Sequence, residues 1–313
     1  MKKSILPLLC VSLLAAAPIP KRAQIRIPAW LDSKAEAQPD AQSVAFEAKL
    51  DGQPSRVLAV RRPADDLLLL LILDLTGDAS LAQSAKEALA AEVRALPGYV
   101  RSGLLRAQDG LRVLVDPTAD RDAMAKAINE APVSGKAGFL DTVETAETIA
   151  DAVLAKSTVR VAVLYITDSD IANYRDDYTN PVINSSDSHD LSRRFPEALV
   201  QEKITRLAAK LATHQTPLFV FHLKYRDDRL NEAYQIGLKE LAVTTAGTSA
   251  FCRSNAEIGP ALHSLFETIG AHYSLSLEVP VRCRRNVEVQ LSLPGGERAL
   301  SYRTRLSLKE DTK

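Results

Sequence analysis

Residues 67–78, LLLLLILDLTGD, constrain the fold more than any other part of the sequence. The segment is an unbroken apolar run that ends in Asp74, and Thr76 and Asp78 follow in alternation. A short run of this kind is typical of a strand in a parallel sheet that helices cover on both faces. Open α/β folds bind ligands at the carboxyl edge of such a sheet, where we expect these carboxylates to emerge.

The rest of the chain alternates apolar strands with amphipathic helices. Residues 159–166 and 217–223 are further buried-strand patterns, and helical patterns separate them. This order predicts an α/β fold with a doubly wound, mostly parallel sheet and helices on both faces. Alternation of apolar and polar residues marks 43–60, around an Asp-Gly turn, and returns after Tyr273. Both segments are therefore expected to form a small antiparallel β appendage.

The N-terminus predicts export. Residues 1–17 place two lysines before an apolar run that ends in three alanines, which is typical of a cleaved signal peptide. We therefore expect a periplasmic or secreted protein with no transmembrane helix in the mature chain. The remaining sequence is divided into four parts. They are a loose lead-in (18–42), a β-hairpin that joins the appendage (43–62), a central α/β domain (63–272) and a C-terminal antiparallel unit (273–308).

Charge and cysteine content narrow the class of function. The chain has 39 basic and 39 acidic residues, so no overall electrostatic field recruits nucleic acid. Cys252 and Cys283 are the two cysteines beyond the signal segment. In an oxidising compartment they could pair as a disulfide, or they could remain thiols that pack as small apolar side chains. The sequence leaves both alternatives open.

Several segments occur in an order and spacing that carry a family resemblance. Residues 67–78 form a strand with an acidic loop, 164–168 read Leu-Tyr-Ile-Thr-Asp, 241–247 end in Thr-Ala-Gly, and 273–280 alternate before Pro280. In these features the chain resembles the von Willebrand factor A domain, and more narrowly the VWFA-related domain proteins of acidobacterial type. The resemblance spans residues 43–307. It implies an exported, non-enzymatic module of the adhesion type that binds another protein at the cell envelope.

The resemblance also implies a divalent-cation site in degenerate form. The family's metal-ion-dependent adhesion site uses D-x-S-x-S, a distant Thr and a distant Asp, to which Asp74, Thr76 and Asp168 correspond. Asp78 replaces the second Ser, and Ala137 stands in place of the Thr. The candidate metal ligands are thus Asp74, Thr76, Asp78 and Asp168. The candidate ions are Mg²⁺ and Ca²⁺, of which Ca²⁺ has the looser geometry.

Two features of this loop weigh against metal-mediated adhesion. Three ionised carboxylates would outweigh one divalent cation and repel an anionic partner. Asp78 also directly precedes a predicted helix, where an aspartate accepts hydrogen bonds from free N–H groups. We favour this capping role for Asp78.

The polar segment 171–192 follows Asp168 and should lie over the same edge of the sheet. Long loops beside a crevice often carry binding residues. The candidate partner contacts in this loop are Tyr174, Arg175, Tyr178 and Asn180. The alternative is a solvated loop without a binding role.

An enzymatic alternative rests on Asp74. Asp-Leu-Thr-Gly-Asp after an apolar strand also resembles the phosphorylation loop of haloacid-dehalogenase-like transferases, in which the Asp is a nucleophile. That chemistry needs a neutralising Lys and a Gly-Asp-Gly loop for magnesium, and the sequence contains no Gly-Asp-Gly. A metal-dependent hydrolase or phosphotransferase is therefore the second hypothesis, and a non-enzymatic binding module is the first.

Overall fold

A computed structural model describes residues 23–31, 45–174, 196–281, 283–294 and 299–309, and it confirms the α/β fold. A six-stranded sheet forms its centre, with every neighbouring pair parallel except the last pair, β6 and β7, at one edge. In spatial order the strands are β10 (Ser249–Phe251), β9 (Leu218–His222), β8 (Arg160–Thr167), β5 (Leu67–Asp74), β6 (Val100–Arg106) and β7 (Arg112–Thr118).

Helices cover both faces of this sheet. On one face lie α1 (Ala79–Ala95), α2 (Arg121–Glu130) and α6 (Asn255–Gly270), and on the other α3 (Phe139–Lys156), α4 (Pro196–Leu211) and α5 (Arg229–Thr244). All residues of β5 are buried, because Leu69 and Leu71 enter one core while Leu68 and Leu70 enter the other. In the ranges above, no helix has the length and apolar character needed to cross a membrane.

Both ends of the described chain contribute to a two-sheet β appendage. One sheet has the order β13 (Leu300–Tyr302), β1 (Gln24–Leu31), β11 (Tyr273–Glu278) and β4 (Val57–Arg61), and the other β14 (Arg305–Ser307), β12 (Asn286–Ser292), β2 (Glu47–Leu50) and β3 (Gln53–Ser55). Apolar residues from both sheets form one shared core. The Asp51-Gly52 hairpin turn has the expected positive φ angles, 50° at Asp51 and 74° at Gly52.

The loose lead-in predicted for residues 18–42 is wrong where β1 forms. Ile25 and Ile27 are fully buried in the appendage core, and β1 pairs with both β11 and β13. Trp30 fixes the end of the strand, because its indole N–H donates to the Thr268 carbonyl of α6 at 2.8 Å. Pro28 lies inside the strand and interrupts the alternation, which is why the pattern did not indicate a strand.

The two cysteines are free thiols in the structure. Cys252 is fully buried in the core between the central sheet and α1, α2 and α6, whereas Cys283 is half-buried beside the appendage core. Of the two alternatives, the structure therefore has unpaired cysteines that belong to different apolar clusters.

Candidate functional site

The structure brings Asp74 and Asp168 together at the carboxyl edge of the central sheet. Strands β5 and β8 are parallel neighbours, and Asp74 lies beside Thr167 in their register. The Asp168 backbone N–H donates to the Asp74 carbonyl at 3.3 Å. Both residues are buried, with Asp74 at 0% and Asp168 at 9% relative exposure. The edge thus carries two carboxylates side by side, as the strand pattern predicts.

Three donors hold the Asp74 carboxylate. One oxygen accepts from the Gly138 N–H at 2.8 Å, and the other from the Phe139 N–H at 3.2 Å and the Thr167 hydroxyl at 3.1 Å. Burial raises the pKa of Asp74 to about 6 and outweighs these hydrogen bonds, which favour the ionised form. The nearby charge of Asp168 also raises it. Asp74 is therefore a buried acceptor whose hydrogen bonds hold the start of α3 to the end of β5.

The Asp168 carboxylate organises the acidic loop. It accepts from the Thr76 N–H at 2.7 Å and the Thr76 hydroxyl at 3.0 Å. It also accepts from the backbone N–H groups of Gly77 and Asp78, at 3.1 and 3.3 Å. The loop of residues 76–78 thus wraps around one anion, and the Thr76 hydroxyl is already used within the protein.

Asp78 is the N-cap of α1, as favoured from the sequence. Its side chain accepts from the N–H groups of Ser80 and Leu81, both at 3.2 Å. The hydrogen bond from Leu81 is the main reason that the pKa of Asp78 is lowered, and the Lys224 ammonium group at 3.5 Å also lowers it. The carboxylate is therefore engaged by the helix and by a cation.

These contacts do not fit the ligand set of a metal-ion-dependent adhesion site. N–H and hydroxyl donors point at the oxygens of Asp74 and Asp168, where a cation would need free lone pairs. Ala137, in place of the family's Thr, is buried and has no side-chain oxygen. Within the described ranges, the carboxylates of the acidic loop do not belong to a group of three His, Cys, Asp or Glu ligand atoms within 4.8 Å of one another. In the structure, internal hydrogen bonds hold the loop together.

A groove of about 480 Å³ lies over this edge. It is lined by Thr76, Gly77, Asp78, Ala79, Ser80, Asp168, Asp170, Asn173, Lys224 and Arg226. Two of these side chains are cationic and partly exposed, Lys224 at 45% and Arg226 at 41%. Arg226 pairs with Asp170 at 2.7 Å. We name this groove, with its two cations, the rim groove.

Sequence reasoning missed Lys224 and Arg226. Both follow β9, which lies next to β8 and ends at the same edge of the sheet. The rule that located Asp74 and Asp168, polar residues directly after a buried strand, also applies to them. The resemblance to a cation site points to oxygen ligands at the strand ends, and lysine and arginine side chains are not such ligands.

The predicted partner contacts divide into two groups. Tyr174 is fully buried: its hydroxyl accepts from the Leu140 N–H at 3.4 Å, and its ring packs against Tyr234. It therefore offers no surface to a partner, because the apolar side of its ring completes the core over α3. Arg175, Tyr178 and Asn180 lie outside the described residues.

Comparisons with known proteins concern the fold. No family model matches the sequence, and a search of curated proteins finds no match. Similar solved structures include a von Willebrand factor type A protein from Catenulispora acidiphila. It is 12% identical and has a TM-score of 0.45, and the match covers 93% of this chain and 75% of that one.

Two pilus proteins are also similar in structure. One is the vWF domain of the type V pili tip protein Mfa5 from Porphyromonas gingivalis, with 15% identity, a TM-score of 0.44 and coverage of 66% of this chain and 95% of that one. The other is the D319A mutant of the PilB minor pilin from Streptococcus sanguinis, with 7% identity, a TM-score of 0.49 and coverage of 66% and 62%. The likeness to these proteins concerns the α/β fold, which in this chain has a mostly parallel sheet, an antiparallel edge and the acid-tipped strands β5 and β8.

Proposed function

We propose that this chain is an exported, non-enzymatic module that binds an acidic segment of another protein in the rim groove without a metal ion. The observation that carries the proposal is the pair of partly exposed cations, Lys224 and Arg226, beside carboxylates whose oxygens are already engaged. Export itself rests on residues 1–17, which lie outside the described residues.

The hydrogen-bonding capacity of the groove supports an acceptor-rich partner. Asp168 accepts four hydrogen bonds from the loop, and Asp78 caps α1. Asp170 accepts from the N–H groups of Ala172 and Asn173 in addition to Arg226. By contrast, an ammonium has three donors and a guanidinium has five. Lys224 and Arg226 can therefore donate to a carboxylate of a partner while they keep their internal ion pairs. Because Asp78, Asp168 and Asp170 outnumber the two cations of the lining by one, recognition of the partner depends on these directed donors and not on the net charge of the groove.

The same argument explains how adhesion could work without the family's metal. A metal in such a site offers one positive charge centre to an incoming carboxylate. In this chain the side-chain cations Lys224 and Arg226 provide the positive charge instead. They follow the end of β9, which lies next to β8 and Asp168. A planar guanidinium also suits bidentate recognition of a carboxylate.

The hydrolase alternative requires Asp74 to reach a substrate. Its carboxylate is completely buried, and both of its oxygens accept hydrogen bonds from α3 and β8. A nucleophile must contact the reacting atom. The described geometry therefore favours the binding module over chemistry at Asp74.

Charge reversal of the rim groove tests the proposal. We expect wild-type protein immobilised on beads to retain a defined set of proteins from the native envelope fraction. The double variant Lys224→Glu, Arg226→Glu should retain at least about tenfold less of them, because interface charges then repel an acidic partner. Addition of EDTA should leave wild-type capture unchanged.

A matched control is Lys126→Glu on α2, which reverses a charge at a side chain that is 75% exposed and lies outside the groove. It should capture the same proteins as wild type. Capture that survives the double reversal, or that EDTA abolishes, would refute the metal-free acidic-partner proposal.

A further inference from the structure

A second group of buried polar side chains lies at the other end of the central sheet. Glu147 and Asp151 are one helical turn apart on α3, and His214 lies between α4 and β9. Because α3 leads back toward the start of β8, its second half lies near the amino ends of the strands, away from Asp74 and Asp168. This group is therefore separate from the rim groove.

Asp151 and His214 form the ordered part of this group. His214 Nδ1 is 3.0 Å from Asp151 Oδ2, and both side chains are less than 10% exposed, at 6% and 9%. The other Asp151 oxygen accepts from the N–H groups of Gln215 and Thr216 and from the Thr216 hydroxyl. These contacts fix one carboxylate oxygen of Asp151 beside the imidazole.

Glu147 is the unexplained member. It is fully buried, and neither carboxylate oxygen has a hydrogen-bond partner in the structure. Buried polar groups without partners are rare, since their desolvation is not compensated. One ligand atom each from Glu147, Asp151 and His214 lies within 4.8 Å of the other two. The carboxylate of Glu147, which has no hydrogen-bond partner, thus belongs to a group that also contains a carboxylate and an imidazole.

Two cations from the C-terminal segment, outside its strands, lie against the group. The Lys309 ammonium group donates to Asp151 Oδ2 at 3.2 Å and is 45% exposed. Arg303 is buried and donates to the backbone carbonyls of Ala212 and His214, and its charge acts on both carboxylates. Lys309 is the one of these two cations with access to solvent, and it lies after the end of β14, so its side chain can move away without breaking a strand.

We propose that Glu147, Asp151 and His214 form a site for a divalent transition-metal ion, with Zn²⁺ as the expected occupant. Two carboxylates and one imidazole are ligands that Zn²⁺ accepts, whereas Mg²⁺ and Ca²⁺ select oxygen alone. Adjacent ligands of a tetrahedral ion with these distances lie roughly 3.3 to 3.6 Å apart. His214 Nδ1 and Asp151 Oδ2 are 3.0 Å apart, and all three ligand atoms lie within 4.8 Å of one another.

The Lys309 ammonium group is the competitor of the ion. Arg303 and Lys309 already place two positive charges against the group, and a bound divalent ion would add two more. Lys309 must therefore move into solvent when the ion binds. The ion would then tie α3 to the segment that leads into β9, at the place where the C-terminal strand packs on the central domain.

Isothermal titration with ZnCl₂, on chelator-treated protein, tests the site. We expect one Zn²⁺ per chain in wild type, no heat with MgCl₂, and a d–d absorption band when Co²⁺ replaces Zn²⁺. Glu147→Gln should weaken Zn²⁺ binding at least about tenfold, since one charged ligand is lost. Lys309→Met should tighten it several-fold, because the competing cation is removed.

The matched control is Glu144→Gln, the same substitution on α3 at a side chain that is 39% exposed and paired with Lys210. It should bind Zn²⁺ as wild type does. Wild-type protein that binds no Zn²⁺ and gives no Co²⁺ band would overturn the proposal, as would a folded Glu147→Gln variant with unchanged affinity. A Lys309→Met variant that binds more weakly would refute the competition. Folding of each variant is checked by circular dichroism.

Discussion

Asp74→Ala is expected to lower the free energy of unfolding by about 3 to 5 kcal/mol, measured by denaturant titration at neutral pH. The substitution leaves three buried donors, the N–H groups of Gly138 and Phe139 and the Thr167 hydroxyl, without their acceptor. It also opens a cavity at a fully buried position. Removal of the desolvated carboxylate offsets part of this loss, because burial raises the pKa of Asp74 to about 6.

Asp141→Ala on the same helix is the control for Asp74→Ala. Asp141 is 46% exposed and pairs with Lys203 at the surface, so its loss should cost less than about 1 kcal/mol. If Asp74 instead bound a metal ion, addition of Mg²⁺ should raise the unfolding free energy of wild type but not that of Asp74→Ala. If Asp74→Ala is as stable as wild type without added ions, the hydrogen-bonded role of Asp74 is wrong.

Acidification is expected to destabilise the protein through His272. This histidine is fully buried, and burial lowers its pKa to about 3, with a further lowering by the Arg160 guanidinium. In the unfolded chain His272 binds a proton near the ordinary histidine pKa of about 6.5, whereas in the folded chain it stays neutral at that pH. The free energy of unfolding therefore falls as the pH drops below about 6.5. Between pH 7 and pH 4 we expect a loss of about 3 kcal/mol from this residue.

Comparison of pH profiles isolates this contribution from those of the carboxylates. Between pH 7 and pH 4, His272→Gln should lose about 3 kcal/mol less unfolding free energy than wild type does, even though the variant is less stable at pH 7. His263→Gln, at a histidine that is 61% exposed, is the same substitution outside the core. Parallel profiles for wild type and His272→Gln would show that His272 is protonated in the folded protein.

Much of the acidic edge could be predicted from the sequence because strand ends are visible in it. The apolar runs of β5 and β8 each end in acid, and parallel strands bring such ends together. The cap at Asp78 follows from its place before a helix. Two of the three donors to Asp74 are the backbone N–H groups of Gly138 and Phe139, and no residue type signals them.

The rest of the site required the three-dimensional structure. Lys224 and Arg226 reach the edge through the order of strands in the sheet, which the sequence alone does not determine. Glu147 and Asp151 have helical spacing, but that spacing is common on exposed helix faces. Their approach to His214 depends on how α3 packs against β8 and α4.

The β appendage has a consequence for how the chain is made. Strand β1 pairs with β11 and β13, and β2 pairs with β12, so both early strands find these partners in segments that leave the ribosome after the whole central domain. Contacts between such distant segments form slowly. Until these contacts form, the apolar side chains of Ile25, Ile27 and Leu50 are exposed to water. We therefore expect a chaperone to bind the nascent chain during this time.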